Sequence, residues 1–120
     1  MKNKTLVFGA SLNPNRYSYL TVQRLLYHGF NVVAFGNRHG KVETVTVETE
    51  RIPYEDIDKV TMYLNPKSQK DYYGYIISLK PNLVIFNPGT ENPEFYHLLD
   101  KAGIDYEEAC TLVMLSTNQY

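Results

Sequence analysis

In the stretch GASLNPNRYSY (9–19), Gly9, Ala10 and Ser11 precede a polar corner built from Asn13, Pro14, Asn15 and Arg16. Small residues let a backbone approach a ligand closely, a seryl hydroxyl donates, and the start of a helix offers unpaired N–H groups with roughly half a positive charge. Phosphate suits that combination. So does a tight strand-to-helix turn with no ligand, and the loop by itself leaves both readings open. It is not the dinucleotide fingerprint G-x-G-x-x-G, because Gly9 is the sole glycine between Val7 and Tyr19. A second polar group, GNRHG (36–40), frames Asn37, Arg38 and His39 with Gly36 and Gly40. An acidic residue there would suit a free ribose hydroxyl and an arginine an additional phosphate; no Asp or Glu occurs in the stretch. Arg38 is equally readable as a solvated turn residue.

Two further groups complete the set: Asn65, Pro66 and Lys67, then Asn87, Pro88, Gly89 and Thr90. Asn and Pro are ordinary turn formers, so each group alone reads as a turn, while Gly89 would let a ligand lie against bare backbone. Catalytic patterns are missing from the sequence. There is no Cys-x-x-Cys, no His-Glu-x-x-His, no G-x-S-x-G elbow and no Walker loop. His28, His39 and His97 fall in different segments, so a metal site or a triad would need them to converge from afar. The acidic runs YEDID and YEE read as solvated surface.

The segments that must position these groups alternate strand with helix. TLVFGA (5–10) is too continuously apolar for a strand with one wet face and reads as one covered on both sides. A helix over 17–28 follows, stopped by Gly29, and NVVAFG (31–36) is a second buried strand, which together make a βαβ unit. Residues 41–47 alternate as a short ribbon, interrupted at Pro53, with a brief helical turn at YEDI (54–57). KVTMYL (59–64) is the third strand, and a helix over 68–80 begins at Ser68 as N-cap and turns Tyr72, Tyr75, Ile76 and Leu79 to one face. NLVIF (82–86), a helix over 93–103 opened by Pro93 and closed by Gly103, a weaker strand at IDYEEA and a final short helix complete the chain. The expectation is a single α/β domain over 1–120, doubly wound, with a mostly parallel five-stranded sheet and helices on both faces. Such sheets bind ligands beyond the carboxyl ends of their strands, where all four polar groups fall.

The totals agree with one soluble domain. The chain has 120 residues, 43% of them hydrophobic, and no apolar run approaches the ~20 residues of a membrane helix. The opening MKNKTLVFGAS reads as a strand rather than a secretory leader. Twelve basic residues are scattered against thirteen acidic ones for a net charge of −1, which argues against nucleic acid as partner. A lone Cys110 forms no internal disulfide and points to a reducing, cytoplasmic compartment. Eleven tyrosines and no tryptophan suit half-buried surfaces, so self-association or a protein partner through tyrosine-bearing helix faces stays open.

The spacing of Gly9, Ser11, Pro14, Arg16, Ser18 and Tyr19 resembles the small stand-alone CoA-binding domain proteins of bacteria, which are related to the CoA-binding domain of succinyl-CoA ligase alpha subunits. HGFNVVAF (28–35) is similar to the family's entry to its second strand. The family continues there with Asn-Pro-Arg or Asn-Pro-Lys, where this chain has Gly36, Asn37 and Arg38. Members also carry a cysteine after the fifth strand, a place that Cys110 occupies here after Ala109 instead of an arginine. The resemblance implies a Rossmann-like fold and a nucleotide ligand, CoA or an acyl-CoA. It implies a diphosphate over residues 9–13 steadied by Arg16, the ribose 3′-phosphate or adenine near residues 36–38, and the loops Asn65–Lys67 and Asn87–Thr90 along the opposite side, with Lys67, Asn87, Pro88 and Gly89 as their contacts. Cys110 is either a thiol near a thiol cofactor or a packed small side chain. The ligase relatives hold their phosphorylated histidine in additional domains, so the implied role is binding without catalysis. Two other readings compete: an oxidoreductase using NAD(P), which Arg38 would turn towards NADP, and a partner-binding domain whose pocket no longer takes a ligand.

Overall fold

The computed structural model describes residues 3–120, so Met1 and Lys2 of the opening stretch lie outside the described residues. Strand β1 (Lys4–Phe8) lies at the middle of the sheet, paired in parallel with β2 (Asn31–Phe35) on one side and with β5 (Ile57–Met62) on the other. Its side chains alternate between two cores, as the two-residue period of a strand requires. Leu6 and Phe8 enter one core with Val60, Met62, Phe86 and Phe95, whereas Val7 enters the other with Ala34, Val22 and Leu25. Both faces are therefore covered, which is why TLVF carries no polar alternation. Helices α1 (Tyr17–Tyr27) and α5 (Thr111–Ser116) cover the Val7 face, while α3 (Tyr73–Ser78) and α4 (Pro93–Ala102) cover the Leu6 face.

The sheet has seven strands, not five, in the order β3-β4-β2-β1-β5-β6-β7. The two additional strands are the ribbon. β3 (Gly40–Val42) and β4 (Val45–Glu48) form an antiparallel hairpin, and β4 then pairs in parallel with β2 through Ala34 with Val47 and Phe35 with Glu48. Val42, Val45 and Val47 bury against the α1 face of the core, which draws the ribbon into the sheet. Strands β6 (Leu83–Phe86) and β7 (Asp105–Glu108) extend the opposite side, both in parallel register. Chain order reverses between β1 and β5, so the topological switch point opens beyond their carboxyl ends.

Three local expectations are revised. The third strand runs over 57–62 rather than 59–64, leaving Tyr63 and Leu64 to the loop that follows. The turn at Asn65 and Pro66 is the start of helix α2 (Pro66–Gln69): Asn65 Oδ1 accepts from the Ser68 N–H at 2.9 Å, so Asn65 and not Ser68 is the cap, with Pro66 at the first helical position. A 3₁₀ turn over Lys70–Tyr72 joins α2 to α3. Residues 54–57 make no helical turn; the backbone is irregular up to Asp56, which takes φ +62°, and Ile57 opens β5.

Candidate functional site

The strand ends at the switch point enclose a cleft of about 740 Å³. Its floor is the β1 exit. Gly9 leaves the strand at φ +95°, a left-handed conformation that favours glycine, and a Cβ there would stand 2.9 Å from the Leu64 amide nitrogen. Gly36 is tighter still, since a Cβ would meet the Ala10 carbonyl oxygen at 2.2 Å. Both glycines therefore let neighbouring strand exits pack together. The Phe35 carbonyl accepts from the Gly9 N–H at 2.9 Å and the Ala10 N–H at 2.8 Å, which locks the β1 and β2 exits to each other.

The loop into α1 is held by its own side chains. The Ser11 N–H donates to Ser18 Oγ at 3.1 Å, the Asn13 N–H to Ser11 Oγ at 3.0 Å and the Asn15 N–H to Asn13 Oδ1 at 2.9 Å. Backbone donors of Gly9, Ala10, Ser11 and Asn13 are thus engaged within the protein. The helix itself begins at an Arg16 N-cap with no side-chain cap and no acidic residue in its first turn. The N–H groups of Tyr19 and Leu20 reach the Arg16 carbonyl, leaving those of Tyr17 and Ser18 as the first-turn donors without an intrahelical acceptor.

Of the residues expected at a ligand site, Gly9, Ala10, Ser11, Arg16, Gly36, Asn37 and Pro88 line this cleft. Asn13 and Arg38 line an adjoining recess of about 440 Å³, whose wall shares Ser11, Arg16 and Asn37 with the cleft. Arg16 and Arg38 are exposed, and neither side chain has an ion-pair or hydrogen-bond partner among the described residues. No Asp or Glu lines either space.

Lys67, Asn87, Gly89 and Cys110 fall outside both walls. Lys67 is exposed on α2, and Gly89 makes an exposed turn at φ +94° whose N–H donates to Glu91 Oε1. Asn87 is 2% exposed. Its Nδ2 donates to Thr61 Oγ1 at 2.8 Å and to the Met62 carbonyl at 2.9 Å, and its Oδ1 accepts from the Thr111 N–H at 2.9 Å. Its amide ties β5, β6 and α5 together and does not face the cleft. Cys110 is half-buried at the N-cap of α5.

Asn65, expected with its loop along the ligand, also lines the cleft, and sequence reasoning passed over Tyr63, Leu64, Ser68 and Tyr72, which line it too. The signal was the Asn-Pro pair: read as a helix cap it ends the strand earlier and moves Tyr63 and Leu64 to the strand end. The Tyr63 hydroxyl bonds to Thr21 Oγ1 on α1, and burial pushes its phenol up to about 12, with the nearby Cys110 adding to the rise. A protonated phenol at neutral pH is a hydrogen-bonding strut, not a base. Among the described residues no group of three or more His, Cys, Asp or Glu is arranged to hold a metal ion, and no helix is long and apolar enough to cross a membrane.

A doubly wound, mostly parallel sheet with helices on both faces places the chain in the Rossmann-like class of α/β domains. Residues 3–116 match the family described as "CoA binding domain", and the chain belongs to that family. Among solved structures, an uncharacterized protein is 46% identical, with 100% of this chain and 99% of that one covered at a TM-score of 0.95. A hypothetical protein from Pyrococcus horikoshii OT3 is 26% identical over 97% of this chain and 82% of its own, with a TM-score of 0.83. The protein cell-free ID.343 from Thermus thermophilus shares the fold at 19% identity and a TM-score of 0.86, over 99% of this chain and 91% of that one. No curated protein matches the chain.

Proposed function

We propose that the cleft binds CoA or an acyl-CoA without catalysing a reaction on it. The observation that carries this reading is the distribution of charge. A chain with thirteen acidic residues puts none of them on the cleft or its recess, and puts two unpartnered arginines there. Two separated cations suit a ligand with two separated anionic groups. In this reading the diphosphate lies at the uncapped start of α1 beside Arg16, and the 3′-phosphate lies in the recess with Arg38, Asn13 and Asn37. The engaged N–H groups of Gly9, Ala10 and Ser11 shape the site instead of holding the phosphates, and the first-turn N–H groups of Tyr17 and Ser18 take that part. Membership of the CoA binding domain family supports the same ligand.

Thermal melting with CoA, NAD, NADP and ATP tests it. At one hundred times its dissociation constant a single-site ligand adds about 2.7 kcal/mol, which for a domain of this size raises Tm by roughly 10 °C. We expect that rise with CoA and a much smaller one with the other three. Equal shifts, or none, would remove CoA as the ligand.

A further inference from the structure

The two ends of the cleft differ in what lies behind them. At one end the recess with Arg16 and Arg38 opens to solvent and has room for an anionic group. The other end, beneath Leu64, Asn65 and Pro88, is shut by a buried hydrogen-bond network. Gln69, 0% exposed, donates through Nε2 to the Leu64 carbonyl at 2.8 Å and the Thr90 carbonyl at 2.9 Å, and its Oε1 accepts from Asn92 Nδ2 at 2.9 Å. Gln69 thereby stitches the loops after β5 and β6 to each other, and Thr90 Oγ1 braces the second loop by donating to the Asn87 carbonyl at 2.7 Å. On the sheet's other face, the bond between Tyr63 and Thr21 ties the β5 exit to α1, and the 2.8 Å contact between the Thr61 and Thr111 hydroxyls ties β5 to α5. No buried side-chain nitrogen or oxygen among the described residues lacks a partner. Behind the network the side chains of Ile76, Phe86 and Phe95 are fully buried. A hydrocarbon chain entering there must strip bonds from Gln69 and leave its amide buried and unpaired, a cost that opposes entry.

On the reading that the cleft binds CoA, we infer that this protein recognises the phosphorylated nucleotide end of the ligand and is indifferent to its acyl group. The ligand's anionic groups occupy the arginine end, and its pantetheine arm runs across the β1 exit towards Asn65, Ser68 and Pro88, all three exposed to solvent. The thiol or thioester emerges into water there, and the bonded amide of Gln69 closes the way to the apolar core behind it. The ligand class is then CoA together with its thioesters, and occupancy follows their summed concentration.

Calorimetric titration with CoA, acetyl-CoA, butyryl-CoA, octanoyl-CoA and dephospho-CoA decides this. An acyl chain buried in an apolar channel would tighten binding about fourfold per methylene. We expect the three thioesters to bind within about threefold of CoA, and dephospho-CoA to bind about tenfold or more weakly, the loss of one charge-assisted contact. Affinity that climbs steadily with chain length overturns the inference while leaving CoA binding intact, and so does dephospho-CoA binding as tightly as CoA. No heat with any of the five overturns the CoA reading itself.

Discussion

Arg16 and Arg38 are exposed side chains with no partner among the described residues, so truncating either removes a ligand contact and little of the fold. For Arg38→Ala we expect the CoA dissociation constant to rise about tenfold, the scale of one charge-assisted hydrogen bond. Stability of the ligand-free protein should stay within about 0.5 kcal/mol of the parent, as for other exposed positions. Calorimetry and urea unfolding on the same samples check the pair, and an unchanged dissociation constant would take Arg38 out of the site. That Arg16 and Arg38 stand at the strand ends of the sheet was legible, because each falls in a short polar stretch that follows a buried strand. Asn87 marks where such reading ends. An amide at a strand end reads as a ligand contact, yet its side-chain bonds go to residues 24 to 26 positions away, a pairing that only the packed sheet creates. The purpose of Gly9 was hidden for the same reason, since the atom that excludes a Cβ belongs to Leu64.

At the scale of elements, alternation of buried strands with amphipathic helices made the doubly wound core legible, because a strand covered on both faces and a helix covered on one leave different patterns. The hairpin of β3 and β4 was harder: with one valine face buried and charged residues on the other, its pattern fits a free ribbon as well as a sheet edge. Its place depends on β4 pairing with β2, which no local feature announces. The same β2 exit holds the site's shape, through the Phe35 carbonyl that both Gly9 and Ala10 donate to. Gly36→Ala tests that coupling. A methyl group 2.2 Å from the Ala10 carbonyl oxygen forces the two exits apart, an overpacking cost of about 1–3 kcal/mol. We expect Tm to fall and CoA affinity to drop with it, even though residue 36 adds no charge to the cleft. A variant that melts lower but binds CoA as tightly as the parent would show that the exits move without disturbing the ligand.

Across the whole molecule, tyrosine is the residue that fastens one layer to another. The Tyr120 hydroxyl meets Thr5 Oγ1 at 2.5 Å while Lys59 Nζ lies 4.2 Å from its ring, Tyr75 donates to the Ile52 carbonyl at 2.5 Å, and Tyr63 joins β5's exit to α1. Burial is the main cause that raises all three phenols, Tyr63 and Tyr75 to about 12 and Tyr120 further. In the unfolded chain a phenol ionises near pH 10, so above that pH the unfolded state holds fewer protons than the folded state and stability falls as pH rises. The contribution of Tyr63 is complete below pH 10 and is lost between about 10 and 12, at up to about 1.4 kcal/mol per pH unit. Tyr63→Phe removes both the titration and the hydrogen bond to Thr21. At pH 8 we expect the variant to be less stable than the parent by about 1 kcal/mol, the net worth of one such bond. Between pH 10 and 12 the parent should lose stability faster, so the two curves of unfolding free energy converge and cross. Parallel curves over that range would mean that Tyr63 ionises as freely in the folded sheet as in the unfolded chain, and that the strut between β5 and α1 is open to water.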